Sequence, residues 1–339
     1  MPHASSQRPI ALVVMEEARR AEVYPEHVLA ALGDQVRWAR APMTREELLE
    51  DIGVLNAVEY LFLGWGAPEL DERLLQHAPS LKLVLMAAGS IRATVSLAFW
   101  RRRIPIVSAA AANALPVAEF SVAQIVLSLK HAHRVAREMA DPDQLEAPSR
   151  ADIPGVYRRS VALLSLGAIG RLVAERLAPF DLDVFAYDPF LRTETARTLG
   201  VTPISLEQAF AACDVVSCHM PLLPETRGVI GEKLLSSLKP GAVLINTSRG
   251  AVIDEPALIE VLGKRPDITA LLDVTTDEPV PTSSPLRRLP NAFLTSHSSG
   301  SQGRERWRLG ELVLEEFERH RSGVPLLYAV TEEEARSRA

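Results

Sequence analysis

Residues 161–170, V-A-L-L-S-L-G-A-I-G, read as a buried strand that turns through glycines into a helix starting near Ile169. Gly167 and Gly170 fit the last two glycines of a G-x-G-x-x-G turn, which presents the N–H groups of a helix N-terminus to a pyrophosphate. Ser165 stands where the first glycine belongs, and it fits if the position needs only a small side chain and not a positive φ. Asp188 closes the next strand-like run, 18 residues after Gly170, where a carboxylate holds ribose hydroxyls and repels a 2′-phosphate. Such a turn also serves plain strand-to-helix packing. The helix that follows and the acid at the right spacing favour a dinucleotide, with Gly167, Ala168, Ile169 and Gly170 as its cradle. NAD is expected over NADP, a preference tempered by Arg192 nearby.

Two other residues stand at strand ends, the edge where ligands bind in open α/β sheets: Arg249 and His297. A planar guanidinium there can grip a carboxylate in a bidentate pair. No metal is expected. Cys213 and Cys218 lack C-x-x-C spacing and a second pair, and read as reduced thiols. His131 and His133, two apart on a helix, point to different faces and cannot share an ion. His3, His27, His77 and His320 are isolated and read as surface residues.

The elements that position these groups follow from hydrophobic patterning. A chain of 339 residues implies two domains. Its net charge of -6 gives no reason to expect nucleic acid or an anionic membrane as partner, and Arg101, Arg102 and Arg103 read as a solvated helix tip. With no apolar leader at the N-terminus and no uninterrupted run of about 18 apolar residues, a cytoplasmic protein is expected. Strand-like runs at 10–15, 59–63, 81–86 and 104–107 alternate with amphipathic segments, which implies βαβ units and a parallel sheet. Residues 116–138 read as one helix with Pro116 in its first turn and apolar residues on nearly every face, a domain connector and a homodimer interface. A loop is expected over 140–155. Six more strand candidates follow at 161–164, 183–188, 214–220, 242–247, 268–274 and 292–297, the count of a complete dinucleotide-binding sheet. A helix over 304–321 is expected to return to the first domain, with nothing foldable after residue 330.

Four ordered stretches carry a resemblance: P-L-L-P-E-T-R-G-V-I (221–230), L-K-P-G-A-V-L-I-N-T-S-R-G (238–250), L-D-V-T-T-D-E-P (272–279) and L-T-S-H-S-S-G (294–300). Together they closely resemble the D-isomer-specific 2-hydroxyacid dehydrogenase family, densely from about 104 to 330. The resemblance implies two Rossmann-like doubly wound parallel-sheet domains, the first flavodoxin-like and completed by the C-terminal helix. It places a substrate-binding domain at 1–112 plus 302–339 and an NAD-binding domain at 113–301, with hinges near 112 and 300. It makes Arg249 the substrate-binding arginine, His297 the general acid and base, and Glu278, in preference to its neighbour Asp277, the carboxylate that orients the imidazole. Asp273 matches the residue that binds the nicotinamide carboxamide. Thr247, Ser248, Arg249, His297 and Gly300 line the cofactor, and His219 and Pro221 pass along its adenosine side, with His219 as wall rather than catalyst. Ala88, Gly89 and Ser90 correspond to the loop whose N–H groups hold the substrate carboxylate.

The implied activity is hydride transfer between NAD(H) and a small 2-keto or 2-hydroxy acid of D configuration, and the other reading is a non-catalytic NAD-sensing module of the same fold. A formate dehydrogenase is disfavoured by Glu278, where that sister enzyme carries glutamine, and a phosphoglycerate dehydrogenase fits only in its short form. Two departures stand out. Arg92 replaces an aspartate of the carboxylate-holding loop, which with Trp65 implies a pocket for a larger or more acidic substrate. Ser296 replaces the proline usual before the histidine.

Overall fold

The computed structural model describes residues 8–140 and 153–337, so most of the loop expected over 140–155 lies outside the described residues. The chain forms two compact units, Met1–Asn113 with Ser301–Ala339, and Ala114–Gly300.

In the first unit the strands β1 (Ile10–Val14), β2 (Arg37–Trp38), β3 (Tyr60–Leu63), β4 (Leu83–Met86) and β5 (Ile106–Ser108) form one parallel sheet in the order β2-β1-β3-β4-β5. This is the flavodoxin-like order. Successive side chains of a strand point to opposite faces, so two cores form. Leu12, Val14, Leu61, Leu63, Val84 and Met86 enter one, and Ala11, Val13, Phe62, Leu83 and Leu85 the other. The helix Trp307–Arg321, preceded by a 3₁₀ turn Gly303–Arg306, buries Leu309, Leu312, Val313 and Phe317 in the second core. The C-terminal helix thus completes the first unit. The two-residue β2 carried too little pattern to be read from sequence.

The tail corrects one expectation. Beyond residue 330 a helix, Glu332–Ser337, buries Ala335 in the first core, and Glu334 and Thr331 cap one another at its start. His27 and His320 are not isolated either. His320, on the returning helix, bonds Tyr60 Oη of β3 through Nδ1 at 3.1 Å, and His27 bonds Glu311 of that same helix at 3.1 Å.

The second unit holds β6 (Arg159–Leu164), β7 (Leu182–Tyr187), β8 (Thr202–Pro203), β9 (Val215–Cys218), β10 (Val243–Asn246), β11 (Thr269–Leu272) and β12 (Ala292–Leu294). They pair in parallel in the order β12-β11-β10-β9-β6-β7-β8, the Rossmann order with one strand added at its far edge. Six of the seven match expected runs, and β8 is a two-residue edge piece. Alternation again divides the apolar side chains, with Leu164, Val216, Leu244 and Leu272 on one face and Leu163, Val215, Ile245 and Leu271 on the other.

The apolar stretch 116–138 is two helices, Ala110–Leu129 and Ala132–Ala140, with Pro116 inside the first rather than at its start. The helix starts early because Ser108 Oγ accepts from Ala110 N at 3.2 Å. It breaks where His131 takes φ +50°. Length and hydropathy would let Ala110–Leu129 cross a membrane, yet Ala118, Ile125 and Leu129 are buried in the core against the sheet. Burial is one-sided: Leu127 is 41 % exposed, and Ala132–Ala140 has no buried residue.

Candidate active site

Three turns at the carboxyl ends of β10, β11 and β12 bring the chemistry together in the second unit. At the end of β10 the fully buried Asn246 shapes the first turn. Its Oδ1 accepts from Ser248 N at 3.0 Å and Ser248 Oγ at 2.7 Å, while its Nδ2 donates to Arg249 O at 3.0 Å. Asn246 was not singled out from sequence, although a buried amide one residue before the T-S-R-G run is the available signal. Arg249 leaves the turn with extended backbone, and its guanidinium donates to Ser248 O at 2.7 Å. Burial pushes that guanidinium below its ordinary pKa, and the charge of Glu278 pushes it back up.

Gly250 explains how the next turn comes so close. A Cβ there would lie 1.9 Å from Thr275 C and 2.1 Å from Thr275 O, so only glycine lets the Arg249 turn pack on the backbone that leads to Glu278. Within that loop Thr275 N donates to Glu278 Oε1 at 3.2 Å, and Thr275 Oγ1 donates to Asp277 O at 2.8 Å. Glu278 Oε2 then meets His297 Nδ1 at 2.7 Å. Of the two neighbouring acids it is Glu278, not Asp277, that reaches the imidazole. With Nδ1 engaged, Nε2 is the nitrogen left to exchange a proton. The pair is half-exposed, at 48 % for His297 and 37 % for Glu278.

Asp273, at the end of β11, is 2 % exposed. Burial pushes its carboxyl up, but hydrogen bonds from Ser299, Thr295 and Ser298 outweigh that and leave its pKa below the ordinary value. Thr247 Oγ1 lies 3.1 Å from Ser121 Oγ on Ala110–Leu129, and Ser248 Oγ lies 3.4 Å from Cys218 Sγ. Gly300 is the last residue of this unit.

The glycine turn sits in the same unit. Gly170 is demanded by packing, since a Cβ would lie 2.1 Å from Ser165 O. Gly167 is the N-cap of the ten-residue helix Ala168–Leu177, with no side-chain cap, and a Cβ there would meet nothing within 4 Å. Ser165 corrects the sequence reading: its φ is +78°, so the position does require left-handed backbone, and serine occupies it against preference. Its Oγ lies 3.4 Å from Asp188 Oδ2, which also accepts from Leu166 N at 2.8 Å, while Phe190 N donates to Oδ1. Asp188 is thereby pinned beside the turn with acceptor capacity left over. His219, after β9, is 8 % exposed. Its Nε2 meets Ser217 Oγ at 3.0 Å, its Nδ1 has no partner among the described residues, and burial pushes its pKa down to about 4. Neutral near pH 7, it is a wall and not an acid. Pro221 O accepts from Thr226 Oγ1 at 2.6 Å. An uncapped helix N-terminus over open space, an anchored acid after the second strand and an orphaned buried nitrogen are the fittings a dinucleotide needs.

Ala88, Gly89 and Ser90 belong to the other unit, in the loop after β4. Ser108 Oγ donates to Ala88 O at 3.3 Å, and a Cβ on Gly89 would sit 3.1 Å from Asn113 Nδ2. Trp65, after β3, has the guanidinium of Arg19 5.3 Å and that of Arg306 5.8 Å from its ring centroid.

The family model described as D-isomer specific 2-hydroxyacid dehydrogenase, NAD binding domain, matches residues 122–299. The chain belongs to the D-isomer specific 2-hydroxyacid dehydrogenase family. Its relatives include a D-3-phosphoglycerate dehydrogenase of Mycobacterium leprae, 33% identical over 302 residues, 87% of this chain and 55% of that protein. A glyoxylate reductase of Korarchaeum cryptofilum is 30% identical over 278 residues, 81% of this chain and 82% of its own. Among solved structures, the TT0316 protein of Thermus thermophilus superposes with a TM-score of 0.75 at 25% identity, over 95% of this chain and 100% of that one. The chain spans about half the length of the phosphoglycerate dehydrogenases it matches. As a member of the family it carries an NAD-binding domain, and Gly167, Gly170 and Asp188 lie within the matched span.

Proposed function

We propose that this chain is an NAD-dependent D-2-hydroxyacid dehydrogenase that reduces a small 2-keto acid to the D-hydroxy acid. The observation that carries this reading is the 2.7 Å bond from His297 Nδ1 to Glu278, with the Arg249 guanidinium within reach of the same carboxylate's charge. Arg249 holds the substrate carboxylate and polarises the carbonyl. His297 delivers the proton from Nε2 to the carbonyl oxygen, and Glu278 keeps the imidazole turned for that transfer. NADH, when bound, supplies the hydride to C2.

Gly167, Ala168, Ile169 and Gly170 hold the pyrophosphate and Asp188 the ribose. Thr247, Ser248, Asp273, His297 and Gly300 line the nicotinamide side, with His219 and Pro221 along the adenosine. Ala88, Gly89 and Ser90 offer N–H groups to the substrate carboxylate from the first unit, which serves as the substrate-binding domain. The enzyme acts in the cytoplasm as a homodimer, formed through the half-covered helix Ala110–Leu129 and through Ala132–Ala140, where Met139 is 64 % exposed. Light scattering that finds a monomer at micromolar concentration removes the dimer.

The test of the activity is NADH and NADPH oxidation with glyoxylate, hydroxypyruvate, pyruvate and branched and aromatic 2-keto acids. Turnover that falls by about 10²-fold or more in His297→Gln and in Arg249→Gln is expected. Binding of NADH with no turnover on any of these acids replaces the enzyme with the NAD-sensing module.

A further inference from the structure

We propose that Asp273 is the positioning residue for the general acid and base: it fixes the segment Thr295–Ser299 from beneath and so sets the direction of the His297 ring. The inference rests on the dehydrogenase reading only for the ring's use, because the geometry itself is independent of it.

His297 sits in left-handed backbone at φ +53°, a region that residues with a Cβ avoid. Something must hold it there. A proline at 296 would fix one neighbouring φ, but this chain has Ser296. Asp273 contacts the segment on both sides of the histidine instead. Its carbonyl accepts from His297 N at 2.9 Å. Its Oδ1 accepts from Thr295 Oγ1 at 2.5 Å and from Ser298 N at 2.8 Å, with Ser298 Oγ at 3.4 Å. Its Oδ2 accepts from Ser299 N at 2.9 Å. Residues 295, 297, 298 and 299 thus converge on one buried residue of β11's end, and the one left out is Ser296.

The choice of carboxylate follows from the donors. Three strong donors arrive at two oxygens, and an ionised carboxylate is acceptor-only with about four lone-pair sites. An amide would turn an N–H towards at least one of those donors. The carboxyl's pKa, lowered despite burial, agrees with a group whose charged form is the one being bonded. This role differs from contact with the nicotinamide amide, which the remaining lone pair could also serve.

The experiment uses the full chain without cofactor, labelled with ¹⁵N-histidine. The Nδ1 proton of His297, bonded to Glu278, gives a downfield resonance assigned by its loss in His297→Gln. In Asp273→Asn that resonance is expected to disappear, and kcat on the best keto acid to fall about 10²-fold while the KM for NADH changes by less than about three-fold. Thr295→Val, which removes one donor and leaves the acid, is expected to weaken the resonance and lower kcat by about ten-fold, and it serves if Asp273→Asn fails to fold. An intact resonance and unchanged kcat with a raised KM for NADH overturns the proposal and leaves Asp273 a cofactor contact. Loss of the resonance in a protein that never turns over sustains the positioning role and sinks the dehydrogenase reading alone.

Discussion

Acidification from pH 7 to pH 5 should cost this protein about 2 kcal/mol of stability through His219 alone. The imidazole is 8 % exposed, its Nδ1 has no partner among the described residues, and burial lowers its pKa from 6.5 to about 4. Between those values the unfolded chain binds a proton that the folded chain refuses. The group's contribution is therefore complete above pH 6.5 and is lost as pH falls towards 4, at about 1.4 kcal/mol per pH unit. His133 and His320, also lowered by burial, add losses of the same sign. They and the carboxylates remain in His219→Gln, so the difference of differences isolates His219. Urea unfolding of both proteins at both pH values, followed by a probe in the second unit, gives the four numbers required. The variant should lose about 2 kcal/mol less than the parent on acidification. Equal losses would mean that the imidazole is protonated in place or reached by water, and the assignment of His219 as a neutral wall would fall with the number.

Ser165→Gly removes the side chain from a position at φ +78° and should raise stability by about 1 kcal/mol in urea unfolding, whereas no gain would deny the left-handed turn. Gly250→Ala places a Cβ 1.9 Å from Thr275 C, and should lower stability by about 1–3 kcal/mol and keto-acid turnover with it, since Arg249 and the Glu278 loop part together; parental stability would refute the close approach. Arg92→Ala and Trp65→Ala should each change the ratio of rates between small and bulky or acidic keto acids. Relative rates unchanged across the panel would exclude both residues from the substrate pocket.

The fold was legible wherever burial on both faces of a parallel sheet forces a continuous apolar run, as in Leu83–Met86 and in Val243, Leu244 and Ile245 of β10. It was illegible where pairing needs only two residues: Arg37–Trp38 and Thr202–Pro203 carry no period. The helix over 116–138 misled because hydrophobicity records burial and not continuity. The break at His131 is a backbone event, φ +50°, which no apolar pattern announces. The tail misled in the opposite way. Glu332–Ser337 is acidic and short, and it forms because Thr331 caps it and the single apolar Ala335 finds the core.

The site was legible in its reacting groups and not in what holds them. Arg249, Glu278 and His297 could be named because their chemistry restricts the residue type, and the structure gathers them in one unit. Asn246, Gly250 and the anchoring use of Asp273 escaped because each acts through backbone atoms, which any sequence contains and which only folding brings to 2.8–3.0 Å. Ser165 shows the same divide at the other end of the sheet. Its small size was visible, but its φ was not, and φ decides whether serine is neutral or costly there. The two serines that stand in for an expected proline and an expected glycine are thus absorbed by different means: at Ser296 a side chain elsewhere replaces the lost backbone restraint, and at Ser165 the strain stays in place beside the acid that the turn anchors.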